Sequence, residues 1–349
     1  MDKYYSLKDI QKKKDIENKE PSIYIITSNR SAGKTTAVLI ELLEKYKNNN
    51  EKFVLIYRYR YELSSSNEVF SDVLRLYPEY GKEMITVSKA HGFFYELRLD
   101  ENVCGYALAL SNIDGLKKYS PLFADVVNCL FDEFQKEDNK YLPDEFNKLQ
   151  SLLITIGRGG GSMARDLKLY MLGNNVSVLN PYFINFGIHK RLKNETRFMR
   201  GVGWVAEFGY NENATKEMKK TGIYRAFNNT AYMEYMSENR YLLDNYSFVR
   251  TPKGKNKYIA TIKKNGKMFG LLDFYEDNIF YVTTKVDVSC RNILAFNPNE
   301  HGNNTVLLKR SGYTIHLLKD AFYSGCLFFQ DLECKDIIFD ILSIDKLQQ

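Results

Sequence analysis

The chain has 349 residues, enough to bury a sizeable core and more in keeping with two domains than one. Its 44% hydrophobic and 26% charged content is that of an ordinary folded protein and argues against a disordered or collagen-like chain. The net charge of +6 is modest, but between His189 and Lys267 there are 17 Lys/Arg against 7 Asp/Glu, which reads either as a polyanion-facing surface or as a solvated, Lys-rich linker.

No apolar run is long enough to span a membrane, and no charged-then-apolar leader stands at the start. The five cysteines (Cys104, Cys129, Cys290, Cys326 and Cys334) are scattered singly, without metal-ligand spacing. We therefore expect a soluble protein of a reducing, intracellular compartment, with no membrane partner.

Residues 1–20 are polar and suit a short amphipathic helix. Ile23 to Ile26 then read as a buried strand, Ser28 to Gly33 as a turn, and Thr35–Tyr46 as a helix with Leu39, Leu42, Leu43 and Tyr46 on one face. Strand, turn and helix in that order make a phosphate-binding loop of Ser28, Asn29, Arg30, Ser31, Ala32, Gly33, Lys34, Thr35 and Thr36. Gly33 lets the backbone approach phosphate, Lys34 supplies a cation to the β/γ oxygens, and the Thr35 hydroxyl can ligate Mg²⁺. Ser28 occupies the place where the motif expects its first glycine, and the alternative is a plain polar turn before a helix. Phe53 to Tyr57 form a second buried strand. The Arg58-Tyr59-Arg60-Tyr61 run beyond it offers cations for phosphate and rings for stacking, as a DNA contact or as an ordinary surface strand.

Short strands follow over 85–110, then Val126–Phe131, an apolar strand that delivers Asp132 and Glu133. In a nucleotide hydrolase Asp132 would hold Mg²⁺ through its water shell and Glu133 would polarise the attacking water. A helix from Pro143 to Ile156 is expected, with Phe146, Leu149, Leu152, Leu153 and Ile156 as its apolar face, stopped by Gly157, Arg158 and three glycines. Leu167–Leu172 reads as the next strand, running into Asn174, the candidate γ-phosphate sensor or else a turn cap.

By these motifs the chain resembles the DNA-encapsidation ATPases of small tailed phages, relatives of the large terminase subunits. The resemblance rests on residues 28–35, on Leu-Phe-Asp-Glu-Phe (130–134), on Tyr-Leu-Pro-Asp-Glu-Phe (141–146) and most specifically on Asn-Val-Ser-Val-Leu-Asn-Pro-Tyr-Phe (175–183). It implies an α/β fold: a P-loop ASCE-type NTPase with a mainly parallel sheet, and a small C-terminal α/β domain like a ribonuclease H-type nuclease that has lost its chemistry. It also implies ATP and Mg²⁺ as cofactors, double-stranded DNA as cargo, and a homopentameric ring docked on a portal of the procapsid with a structural RNA. The protein would act in the host cytoplasm, outside the mature virion. Arg30, inside the phosphate loop, is of a kind typical of viral packaging motors.

Domain boundaries are expected at 1–203 (ATPase), 204–250 (linker or lid) and 251–349 (C-terminal domain). In the last, Tyr258–Lys263, Lys267–Phe274 and Asn278–Thr283 read as strands, the first two joined by an Asn265-Gly266 hairpin turn, and helices are expected at His316–Tyr323 and Ile337–Ile344. The first of these strands offers no acid, so the domain reads as a binding platform instead of a two-metal nuclease.

Arg158 is expected to act on a neighbouring subunit's nucleotide. The 14-residue helix before it carries the chain about 20 Å from its own γ-phosphate, and Arg165 stands in reserve for that role. A helicase or AAA-type remodeller remains an alternative, as does a non-hydrolysing nucleic-acid-binding adaptor, although Glu133 argues against the last.

Overall fold

The computed structural model describes residues 5–158, 165–189, 191–192, 196–227, 230, 233, 248–249, 251–308 and 311–342. The chain forms two compact units. The first comprises Met1–Gln135, Asp144–Asn175 and Leu192–Arg240; the second comprises Lys136–Pro143, Val176–Arg191 and Tyr241–Gln349.

The first unit is built on nine strands: β1 (Ile23–Ser28), β2 (Lys52–Tyr57), β3 (Met84–Lys89), β4 (Phe94–Leu99), β5 (Asn102–Ala109), β6 (Val126–Phe131), β7 (Lys168–Asn174), β8 (Phe198–Gly201) and β9 (Trp204–Phe208). They lie in the order β3-β4-β5-β2-β6-β7-β1-β9-β8. The six strands from β5 to β9 in that order are parallel, and antiparallel pairs close both edges. Parallel strands covered on both faces need continuous apolar runs, and Tyr24, Ile25 and Ile26 or Phe53 to Ile56 supply them. The helix Lys34–Asn49 buries Val38, Leu39, Leu42 and Leu43 and ends on Asn50 in the left-handed region. Because the central strands are parallel, the carboxyl ends of β1, β2, β6 and β7 share one edge, with Ser28 paired to Asn174 and Phe131 to Met171.

The second unit holds β10 (Lys257–Lys264), β11 (Lys267–Phe274), β12 (Ile279–Thr283), β13 (Ile293–Ala295), β14 (Val306–Leu307) and β15 (Leu327–Phe329), ordered β14-β13-β10-β11-β12-β15. β10, β11 and β12 are an antiparallel meander, and the outer pairings are parallel. Asn265 (φ 52°) and Gly266 (φ 74°) make the tight turn expected between β10 and β11. The helices Gly312–Tyr323 and Leu332–Leu342 pack Leu318, Phe322, Ile338 and Phe339 into its core beside Ile262, Leu271 and Phe329.

This division departs from the sequence expectation at three places. Trp204–Phe208, assigned to the connecting segment, is β9, a fully buried parallel neighbour of the phosphate-loop strand. Residues 136–143 and 176–191 group with the C-terminal unit: Tyr141 donates its backbone N–H to the Tyr323 carbonyl, and Ile184 belongs to that unit's core. The N-terminal helix is a single turn, Lys8–Gln11. In the expected lid segment Glu212–Lys219 and Gly222–Phe227 are helices; most of 228–250 lies outside the described residues.

Candidate active site

β1 ends at Ser28, and the chain turns through a loop in which Ser31 (φ 57°) and Gly33 (φ 87°) take left-handed conformations before the helix starts at Lys34. No side chain caps that helix, so its first N–H groups are left for an anion. Ala32 is buried, its carbonyl accepting the Tyr5 N–H at 2.8 Å, while Arg30 is half-buried and Ser31 exposed. Asn29, 1% exposed, is clasped from outside the loop. Its side-chain amide donates to Asn211 O (3.1 Å) and Thr215 Oγ1 (3.0 Å), and its Oδ1 accepts the Asn211 N–H (2.9 Å). The helix Glu212–Lys219 is thereby tied to the phosphate loop, a connection the sequence did not reveal.

Lys34 folds over the loop and is 7% exposed. Its ammonium donates to Ser28 Oγ (2.9 Å), Ser28 O (3.3 Å), Asn29 O (3.2 Å) and Asn174 Oδ1 (3.2 Å). Ser28, where a glycine was expected, thus supplies two of the four oxygens around the cation. Burial pushes the Lys34 pKa down to about 8; Asp132 and Glu133 oppose that shift, and the Arg30 charge adds to it.

The Thr35 hydroxyl donates to Asp132 Oδ2 at 2.7 Å. Burial raises the Asp132 pKa, against the Thr35 hydrogen bond and the one that Asp132 Oδ1 accepts from the Glu133 N–H at 2.8 Å. Glu133 has an exposed side chain and a left-handed backbone (φ 50°). Lys34, Thr35, Asp132 and Asn174 therefore come together at the carboxyl edge of the sheet from three different strand ends, with Glu133 next in the chain. Thr36 and Gly33 line a cavity of about 640 Å³ with Tyr5, Ile40 and Leu76. Ser28 and Ala32 line another of about 1080 Å³ with Lys8, Tyr210 and Asn211.

Arg58 and Arg60 part company. Arg58, expected on DNA, is 7% exposed: its Nε faces both oxygens of Glu145 (3.0 and 3.1 Å), its Nη1 donates to Glu133 O (2.7 Å) and its Nη2 to Phe134 O. A guanidinium so enclosed cannot meet a DNA phosphate, and that assignment is withdrawn. The partner that draws it inward, Glu145, is fully buried in the first turn of the helix Glu145–Gly157 and carried no signal beyond favouring a helix start. Arg60 is exposed, with Nε donating to Gly92 O at 2.8 Å and the guanidinium 5.8 Å from the Phe93 ring centre. Tyr59 and Tyr61 stack on each other at 5.4 Å.

Arg158 is exposed where the helix Glu145–Gly157 ends, its carbonyl accepting from Ser120 Oγ at 3.3 Å, on the side where β6 begins. Arg165 is committed within its own chain, its guanidinium donating to the carbonyls of Val126 (2.9 Å), Phe123 (2.9 Å) and Ile156 (2.7 Å). It ties the end of the helix to the start of β6 and drops out as the reserve trans-acting arginine. The glycines 159–161 lie outside the described residues.

A model of the podovirus DNA encapsidation protein (Gp16) matches residues 1–347. The DNA packaging proteins of Bacillus phages PZA and phi29 are each 25% identical over 323 residues, 91% of this chain and 92% of the relative. Among solved structures, a chain of the bacteriophage Phi-29 viral genome packaging motor assembly aligns over 98% of this chain and 99% of its own, with a TM-score of 0.51 and 21% identity. A chain of the Phi-28 gp11 DNA packaging motor aligns over 98% of both, with a TM-score of 0.53 and 18% identity. At these identities the likeness is one of fold.

Proposed function

The chain belongs to the podovirus DNA encapsidation protein (Gp16) family, and from that premise we propose that it is an ATP-hydrolysing motor that drives double-stranded viral DNA into a procapsid. The observation that carries the hydrolytic part is the Thr35–Asp132 hydrogen bond of 2.7 Å. It places a hydroxyl and a carboxylate, an oxygen-only pair suited to Mg²⁺, beside a buried lysine. Thr35 and Asp132 would hold Mg²⁺ there, and the ion would supply positive charge to offset that of the phosphates.

The chain's own groups divide the remaining work. Lys34 exchanges its loop oxygens for phosphate oxygens, the loop and helix N–H groups hold the phosphates, and Asn174, already within reach of Lys34, faces the γ-phosphate. Glu133 takes the proton of the attacking water. Arg158, exposed on the side where the parallel strands begin, serves the nucleotide of the next subunit in a ring, and Arg30 adds positive charge at the loop.

The family resemblance supports a homopentamer docked on a portal together with a structural RNA, acting transiently in the host cytoplasm. The C-terminal unit serves as a binding platform without nuclease chemistry. Exposed Arg60 and the basic 189–267 segment are the proposed DNA-facing cations, gripping phosphate and reading no sequence.

Steady-state ATPase with and without duplex DNA tests the reading. Stimulation by any duplex sequence, lost in Lys34→Ala, is expected; a chain that binds ATP but does not turn it over on DNA would return the adaptor alternative. Arg60→Ala should weaken duplex binding equally for all sequences and lower the salt slope by about one. An unchanged slope would move the DNA surface to 189–267.

A further inference from the structure

Glu133 is a non-glycine residue held at φ 50°, a conformation that L-residues adopt only when their surroundings over-determine it. Three contacts fix the peptides on either side. Asp132 Oδ1 accepts the Glu133 N–H at 2.8 Å, and the Phe134 N–H donates to Leu172 O at 3.0 Å. The third is Arg58, whose guanidinium takes the Glu133 and Phe134 carbonyls on its two terminal nitrogens. Its remaining edge is locked on the Glu145 carboxylate, and its plane lies 5.1 Å from the Phe131 ring centre.

We propose that Arg58 is a positioning residue for hydrolysis: with Glu145 as its buried counter-ion, it clamps two successive carbonyls and so holds the Glu133 carboxylate where it can take the proton of the attacking water. In this role Arg58 acts through the Glu133 backbone carbonyl. A planar guanidinium can serve two carbonyls and a carboxylate at once from a fixed fork, whereas a lysine ammonium keeps the charge for Glu145 and loses the fork. Glu145 makes the arrangement possible, because a buried guanidinium without a carboxylate would itself be destabilising. The Glu145 charge sits in the first turn of its helix, where the dipole also favours it.

This inference rests on Glu133 being the base, and the test separates the two. Glu133→Gln, Arg58→Lys and the double variant are compared by ATPase kinetics, nucleotide binding and thermal unfolding on the full-length chain. Arg58→Lys should lower kcat by about ten- to a hundredfold, the effect of a slightly misplaced catalytic group, with ATP affinity and duplex-DNA affinity unchanged. In the Glu133→Gln background it should lower kcat no further, since the group it positions is already gone.

Arg58→Met paired with Glu145→Met removes both charges together, keeps the fold if single variants do not, and should show the same kcat loss. An active Glu133→Gln enzyme would sink the choice of base. An inactive Glu133→Gln beside a fully active, folded Arg58→Lys would leave the base standing and overturn the clamp. So would equal, additive losses in both backgrounds, the signature of a merely structural arginine. Weakened DNA binding with unchanged kcat would restore Arg58 to the DNA surface.

Discussion

At the scale of single residues, Glu133 and Lys34 have separable tasks. Glu133→Gln should still bind ATP and lose about 10²–10⁴ in kcat, because an amide cannot take a proton from water, whereas Lys34→Ala should lose tight binding itself. Nucleotide titrations beside single-turnover rates distinguish the two. The Lys34 pKa of about 8 adds a second expectation. In the folded chain without nucleotide this amine loses its proton well below the ordinary lysine range, so between about pH 8 and that range the unfolded chain binds more protons. Stability should therefore rise with pH across that window, and the destabilisation from burying the charge is fully present below it. Phosphate beside Lys34 restores its affinity for a proton, so ATP binding near pH 9 should take up a proton and binding at pH 7 should not. Calorimetry in buffers of different ionisation enthalpy measures this on the unaltered chain, and an uptake at pH 9 no greater than at pH 7 would count against it. Most of this site could be read from the sequence because its residues follow strand ends at fixed spacing. Arg58 could not, since an arginine after a strand looks the same whether it faces DNA or Glu145, 87 residues away.

At the scale of elements, strand existence was legible where apolar runs were long. β6 has its expected bounds, β2 begins one residue early, β1 runs two residues further than expected, to Ser28, and β10 and β11 were marked by their hairpin turn. β9 was not, because five residues after a polar stretch carry little periodicity and its place depends on pairing with β1. Gly105 of β5 lies directly against backbone, and an added Cβ would be 2.3 Å from the Phe53 carbonyl oxygen of β2. No rotamer relieves a backbone clash, so Gly105→Ala should destabilise the first unit by about 1–3 kcal/mol or more, as overpacking does. Chemical denaturation followed by near-UV signal checks this, and a neutral result would mean that β2 and β5 separate more easily than the parallel pairing suggests.

At the scale of the whole molecule, the placement of Arg158 makes a statement about assembly. Lys34→Ala and Arg158→Ala proteins, each inactive alone, should recover ATPase when mixed under conditions where rings form and subunits exchange, because intact loops then meet intact arginines. Mixed rings without recovery would place the arginine's role inside its own subunit. The strand order has a further consequence, one that concerns the protein's birth. β1 pairs with β7 and β9, which follow it by about 140 to 180 residues. On a ribosome adding about 5–20 residues per second, Tyr24, Ile25 and Ile26 would wait on the order of ten seconds or more for their partners. A fragment ending at residue 203 would lack β9 altogether and should be recovered in aggregates, whereas one extended past the helix Glu212–Lys219 should be soluble. The candidate active site is thus encoded early and assembled late, which makes its nascent chain a natural client for holding chaperones.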